Sequence, residues 1–545
     1  MHLKKVLATS SALLVASFTL SACGHDNSQQ ATTKPAVKQV LNWSAPAEIA
    51  TLDSATVSES NSAEFINNSM EGLFRLKNNK AYPALAKKTT VSNDGMTYTF
   101  DLRKNTKWSN GDTLTADDFV FAWQKAVDPK TAAAGSYLFS GIQNADDIAA
   151  GKKAPDTLGV KANGPYQLVV TLERKLPYFK LLAGDPRLFP QDRKVVEKLG
   201  EKYGTSAKTT VFNGPYTLKG WNGSNLNWKL VKNENYWDKK HVKMQTINVM
   251  VNKSTSTAYN LYQQGKLDYT PLSAEQAKQL KGTKGYRVLH PARSEYIEYN
   301  LDKKEFKNKK IRQALAYAID RKQLASSVIG SGALPLTNFV PRGLDSLDGK
   351  DFATLAKTKV GVTYNKELAK KLLKEGLKEL NEDKFEFTLL ARDTDGAKKE
   401  AEFVQSQIEQ ALPQVSVTVR SMPGKTIIEQ ARKGNFEAQL TGWLADFADP
   451  INFLDVETLS NPTNMGGYAS PEYNHLVNLA ETTDALNKPK RFEDMVKAAK
   501  LLNEDQPVVP LVQMGEPELL RPTVKGMVQN SAGLTNDFKY AYKVN

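Results

Sequence analysis

No disulfide can hold this chain together, because its single cysteine is Cys23 and one thiol closes no intramolecular bridge. The 545 residues must instead be held by apolar cores. That length exceeds what one core ordinarily serves, so two or three domains are expected. With 40% hydrophobic and 24% charged residues, the chain has the make-up of a folded globular protein. The formal net charge of +14 is carried by lysines mixed with acids, as in Asp302-Lys303-Lys304-Glu305-Phe306-Lys307. No clustered basic stripe stands out, so the charge reads as a solvated surface and not as a nucleic-acid face.

The position of Cys23 carries its own message. Lys4 and Lys5 precede an apolar run over residues 6–20, which is short for a membrane span. The run ends in Leu20-Ser21-Ala22-Cys23-Gly24. Small residues before a cysteine match the lipobox of bacterial lipoproteins, in which the cysteine is lipidated and becomes the first mature residue. A signal peptide at 1–22 and a lipidated, palmitate-type anchor at Cys23 are therefore expected. Residues 23–39 are small and polar and read as a flexible tether. No later segment is apolar enough to span a bilayer. The expected location is the outer face of the cytoplasmic membrane.

Beyond the tether, Val40-Leu41-Asn42-Trp43 starts a strand and residues 62–71 a helix. Residues 96–102 alternate like a half-buried strand. Thr115-Ala116-Asp117-Asp118 reads as a helix start, with Thr115 as cap. Strands are expected over 167–173, 226–231 and 247–251. From about 290 strands and helices alternate: a strand at 295–300, one amphipathic helix over 309–328, a Lys/Glu-laced helix over 366–380, a strand at 385–390, a helix at 397–412, a strand at 415–419, a helix at 425–433 and a strand from Phe436. Such alternation predicts an α/β domain. A helix at 489–503 and a strand at 508–512 precede an irregular β-rich tail.

The Phe436 strand runs into Gly442-Trp443-Leu444-Ala445-Asp446-Phe447-Ala448-Asp449-Pro450. One carboxylate, Asp446, stands between Trp443 and Phe447. An acid held in apolar surroundings calls for a cation. A solvated aspartate opening an Asp-Pro turn is the plainer alternative.

Catalytic signatures do not appear. The histidines His2, His25, His241, His290 and His475 lack zinc-site spacing. There is no Gly-x-Ser-x-Gly elbow, no Ser-x-x-Lys and no phosphate-binding glycine loop. Asp117-Asp118 and Asp146-Asp147 read as helix-start charges. The sequence favours a binder over an enzyme, with no cofactor or metal.

Several segments occur in a telling order: Cys23; Lys107-Trp108-Ser109-Asn110-Gly111-Asp112 with Thr115-Ala116-Asp117-Asp118-Phe119-Val120; Asn213-Gly214-Pro215-Tyr216; Tyr296-Ile297-Glu298-Tyr299-Asn300; Ile311-Arg312-Gln313-Ala314-Leu315 with Ala318-Ile319-Asp320-Arg321; and the 442–450 stretch. Together they resemble the oligopeptide-binding lipoproteins of bacterial peptide ABC importers, a large solute-binding family that includes dipeptide, oligopeptide and nickel receptors. The resemblance spans residues 40–545.

It implies an α/β, periplasmic-binding-protein-like two-lobe fold (type II, cluster C) with an additional inserted domain, three domains in all. Lobe I would comprise 40–76, 205–300 and 505–545. The inserted domain would be 77–204 and lobe II 301–504, with chain crossings near Asn300 and Asp505. It further implies that an extended peptide adds to strands of both lobes. Asp446 would take the peptide α-ammonium, Gly442 and Leu444 would offer backbone groups, and Trp443 would form a wall. Val57, Ser58 and Glu59 would contact the peptide from the first lobe, and Tyr137 and Glu298 would line the cleft. Where relatives place C-terminal basic contacts this chain has Leu440 and Ala397, with Lys398 and Lys399 alongside and Arg432 and Lys433 nearby, so a fixed clamp on the peptide C-terminus is not expected. The implied protein is a monomer with an oligopeptide ligand, ABC permease and ATPase partner subunits, and a membrane anchor. The alternatives are a receptor for a signalling peptide or a non-peptide solute, and a secreted peptidase.

Overall fold

Buried aromatic residues seed the fold. Trp43, Phe65, Tyr216 and Tyr236 lie in one apolar cluster, with Leu41, Leu230 and Ile247. In the computed structural model, described over residues 37–545, this cluster sits on a four-stranded sheet. Its order is Val40–Ala45, Thr246–Val251, Asn227–Lys232 and Tyr216–Lys219. The first pair is parallel and the others antiparallel. Trp43 stacks on Tyr269 at 3.7 Å between ring centroids, which ties on a three-stranded sheet of Tyr269–Pro271, Glu516–Leu520 and Tyr286–Leu289. The leader at 1–22, Cys23 and nearly all of the 23–39 tether lie outside the described residues.

A second four-stranded sheet, Ala86–Val91, Thr97–Leu102, Gln167–Thr171 and Val160–Ala162, is antiparallel throughout. Helix Ala116–Val127 begins as expected, with Thr115 as cap and Asp118 reaching back in a capping box. Its core holds Phe100, Phe119, Trp123 and Phe179, and runs on without a break into Phe447, Phe453 and Phe492. Residues from 97–182 and from 445–502 therefore share one apolar interior.

The third sheet is mixed and six-stranded, in the order Leu334–Pro335, Val508–Gln513, Arg293–Tyr299, Ala438–Leu444, Phe385–Arg392 and Val415–Met422. The strands preceding Asn300 and following Asp505 are antiparallel neighbours, with Glu298 opposite Val508. Helices Lys309–Tyr317, Lys366–Leu380 and Asp395–Ala411 cover a core of Ile297, Leu389, Val404, Ile408 and Leu440.

Two expectations need correction. The strand at 293–299 is buried along nearly its whole length instead of alternating between a buried and a solvated face, because both faces are covered: Tyr296 packs into one apolar cluster and Ile297 and Tyr299 into another. The single helix over 309–328 is broken. Helix Lys309–Tyr317 stops, Asp320 caps a new turn by accepting from Lys322 N at 3.0 Å and Gln323 N at 3.1 Å, and residues Leu324–Ile329 wind as a π-helix. Helix Pro471–Glu481, opened by Ser470 as cap, went unread.

Candidate functional site

The Ala438–Leu444 strand positions the site through what it leaves unpaired. One edge pairs with Arg293–Tyr299 over its full length, from Tyr299 opposite Ala438 to Arg293 opposite Leu444. The other edge meets Phe385–Arg392 only at Ala438 and Gln439. Residues 440–444 thus present backbone groups along an open edge of this ladder, the arrangement that an extended chain can extend. The corner after the strand is pinned. Ala445 N donates to Ala292 O at 2.9 Å, and Gly533 N donates to Ala445 O at 2.9 Å. Asn452 Oδ1 accepts from Asp446 N at 3.0 Å and from Trp443 Nε1 at 3.2 Å. The aspartate and the tryptophan of the motif are therefore set by one amide. Asp449, three residues on, is held by Arg491 through two bonds of 2.8 and 2.9 Å.

Asp446 is half-buried. Burial pushes its carboxyl above the usual range, while the Arg187 charge and the Tyr137 hydroxyl pull the other way. Tyr137 Oη donates to Asp446 Oδ1 at 2.9 Å; the tyrosine keeps 54% of its surface exposed, and local desolvation of its hydroxyl and the Asp446 charge hold that group above the usual phenol range. Arg187 pairs with Asp185 at 3.1 Å, and its Nε donates to Val57 O at 3.4 Å. A β-carbon at Gly135 would stand 2.4 Å from Arg187 Cδ, so the glycine makes room for this arginine. Among the described residues, no lysine or arginine lies within ion-pairing distance of Asp446.

Of the residues named from sequence, Asp446 and Tyr137 meet directly, and Val57 joins them through Arg187. Ser58 is exposed. The Glu59 carboxylate is occupied as a helix cap, accepting from Ser62 N at 2.9 and 3.0 Å. Leu444 keeps 42% of its surface exposed, and Gly442 and Trp443 are half-buried. Glu298 corrects the expectation of a cleft-lining acid. It is buried within the sheet, accepting from Gln439 Nε2 at 2.5 Å and Gly466 N at 2.7 Å. Its central strand gives it no face to solvent. Burial keeps the Glu298 carboxyl above the usual range, at about 7, and burial together with the Glu298 charge does the same for Glu457. Asp185 and Arg187 went unread in the sequence, where Gly184-Asp185-Pro186-Arg187 looks like an ordinary turn.

A two-lobed α/β chain with an open strand edge ending on a desolvated acid is built to hold a solute, and the comparisons agree. Residues 80–467 match the model of the bacterial extracellular solute-binding proteins, family 5, and the chain belongs to that family. It is 38% identical to a dipeptide-binding protein of Lactococcus lactis, with 99% of each chain covered. It is 33% identical to the dipeptide-binding protein DppE of Bacillus subtilis, covering 88% of this chain and 87% of that one. Among solved structures, it matches Listeria monocytogenes OppA bound to peptide with a TM-score of 0.76 at 36% identity, over 93% of this chain and 99% of that one. The pheromone receptor PrgZ matches with a TM-score of 0.77 at 37% identity, over 93% and 100% of the two chains.

Proposed function

We propose that the protein captures oligopeptides outside the cytoplasmic membrane and hands them to an ABC permease powered by separate ATPase subunits. The single observation that carries this reading is the 440–444 edge terminating at Asp446. A peptide backbone adds to the edge without regard to side chains, and its α-ammonium meets the acid. Gly442 and Leu444 supply backbone groups and Trp443 a wall. Val57, Ser58 and Tyr137 approach from the opposite side. The division into lobe I (40–76, 205–300, 505–545), an inserted domain (77–204) and lobe II (301–504) belongs to the same reading, amended in that strands Arg293–Tyr299 and Val508–Gln513 go with the lobe II sheet that they pair into; lipidation at Cys23 and a monomeric state belong to it too. The family is a solute-binding class, which speaks against peptidase activity. The likeness to a pheromone receptor supports a signalling peptide as a second reading of the same cleft.

Calorimetry with a short peptide and its N-acetylated form tests the proposal. Asp446→Asn and N-acetylation should each weaken binding by about 2–5 kcal/mol, the cost of removing one member of a desolvated charge pair. Affinity within about threefold of the unmodified pair in both cases refutes the role given to Asp446. Intact peptides in native mass spectra of the protein as isolated support a receptor, and cleavage products refute it.

A further inference from the structure

Two carboxylates stand beside the 440–444 edge without enough donors. Gly442 lies opposite Glu295 in the ladder, and a β-carbon at Gly442 would stand 2.7 Å from both Glu295 carboxylate oxygens. The Glu295 carboxylate thus leans over the glycine, towards the open edge. Arg293 Nε and Nη2 both reach Glu295 Oε1 at 2.6 Å, while no donor to Oε2 is found among the described residues. On the same face, helix Asp395–Ala411 brings in Glu400, which is only 7% exposed and whose Oε1 has no hydrogen-bond partner. Burial, reinforced by the Glu295 charge and partly offset by Arg293, pushes the Glu400 carboxyl up to about 8. A buried acid this poorly satisfied is costly unless a donor reaches it.

Resting on the peptide reading above, we infer that Glu295 and Glu400 form a pocket for a cationic side chain on the third residue of the bound peptide. The register follows from strand geometry. Residues directly opposite each other in a ladder share a face. A peptide whose ammonium meets Asp446 sets its first residue opposite Leu444 and its third opposite Gly442. That third side chain points to the face of Leu440 and Gly442, where Glu295 and Glu400 lie. Strands are about 4.8 Å apart, and Gly442 has no side chain in the way, so a lysine or arginine spans the single strand to reach the acids. Arg293 is already engaged with Glu295, and Arg392, at the end of its strand, is exposed. The arriving cation favours the ionised Glu400, so binding at neutral pH releases a proton.

Isothermal titration of the full protein with Ala-Ala-Ala-Ala, Ala-Lys-Ala-Ala and Ala-Ala-Lys-Ala, in two buffers of different ionisation enthalpy, tests this. Ala-Ala-Lys-Ala should bind at least about tenfold tighter than the other two and should release more protons than either. Glu400→Gln and Glu295→Gln should each shrink that advantage and leave Ala-Ala-Ala-Ala affinity nearly unchanged. Equal affinity for the three peptides overturns the inference and leaves the peptide reading intact, as does an advantage that survives in both variants. Absence of binding by all three overturns the peptide reading as well. Because the wild-type comparison of peptides suffices, a variant that fails to fold does not rescue the inference.

Discussion

Tyr137 touches the Asp446 carboxylate and Arg187 acts on it by charge from beyond ion-pairing distance, both from a part of the chain distant in sequence. The Tyr137 hydroxyl donates to Asp446 Oδ1 at 2.9 Å; it orients the acid and favours its ionised form while leaving Oδ2 for a ligand. Arg187 also favours the ionised form, but its charge opposes an arriving ammonium, and it occupies the Val57 carbonyl at 3.4 Å. The two substitutions should therefore separate. Tyr137→Phe should weaken peptide binding by about 0.5–1.5 kcal/mol, one hydrogen bond's worth. At pH 7, Arg187→Gln should tighten it a few-fold, most visibly at low salt. Peptide binding requires Asp446 ionised, so affinity falls as pH drops through its raised folded value. Either substitution raises that value further, so the acid limb of the affinity profile should move to higher pH in both. Titrations between pH 4 and 7 check this, and an acid limb that stays put in both variants refutes the assignment.

At the scale of elements, periodicity was legible where one element makes its own pattern. Helix Lys366–Leu380 was read to its ends because Leu368, Leu372 and Leu373 recur at helical spacing among Lys/Glu pairs. The Ala438–Leu444 strand and the acid beyond it were legible for a similar reason. The break in the 309–328 helix was not, although the apolar positions change phase there: on an ideal helix Leu324 falls on the side opposite Leu315, off the stripe of Ile311, Leu315 and Ala318. What breaks it is tertiary. Arg321 is buried and donates to Pro510 O at 2.5 Å, Gly361 O at 2.7 Å, Ala316 O at 3.0 Å and Ile319 O at 3.3 Å, collecting carbonyls that three segments would otherwise bury unpaired. Burial brings its guanidinium down to about 10. Ser470-Pro471-Glu472 was a readable helix start, with cap, first-turn proline and acid. Glu295, Glu400 and Asp185 carry no local signal, since each matters only for what folding brings beside it. Arg321→Met should destabilise the protein by about 3–5 kcal/mol, and Arg321→Lys should recover little of it because one ammonium cannot serve four separated carbonyls. Urea unfolding gives the comparison. A loss below about 1 kcal/mol refutes this role for the arginine.

Over the whole molecule, a set of buried acids gives stability a pH dependence with a definite sign. Burial raises the carboxyls of Glu64 to about 7, Asp118 to about 6 and Glu400 to about 8, and those of Glu298 and Glu457 also lie above the usual range. For an acid whose folded value exceeds its unfolded one, the folded chain holds the proton longer. Its stabilising contribution is complete below the unfolded value and is lost as pH rises through the folded one. Glu64 isolates the effect. It lies under the chain's C-terminal segment, where its Oε2 accepts from Asn536 N at 3.2 Å and Asn536 Nδ2 at 2.9 Å. A glutamine preserves an oxygen for both bonds but does not titrate. Wild-type stability should fall between about pH 5 and 8, with each such acid contributing a slope of up to about 1.4 kcal/mol per pH unit over its own range. Glu64→Gln should flatten the slope between pH 5 and 7 and leave the segment from pH 7 to 8, where Glu400 titrates, unchanged. Glu400→Gln should flatten the slope over the whole range from pH 5 to 8, because the folded chain holds that proton from the unfolded value up to about 8. Urea titrations at half-unit pH steps resolve the two windows. Parallel curves for wild type and both variants would place the protons on other groups and refute the assignment of the pH dependence to these acids.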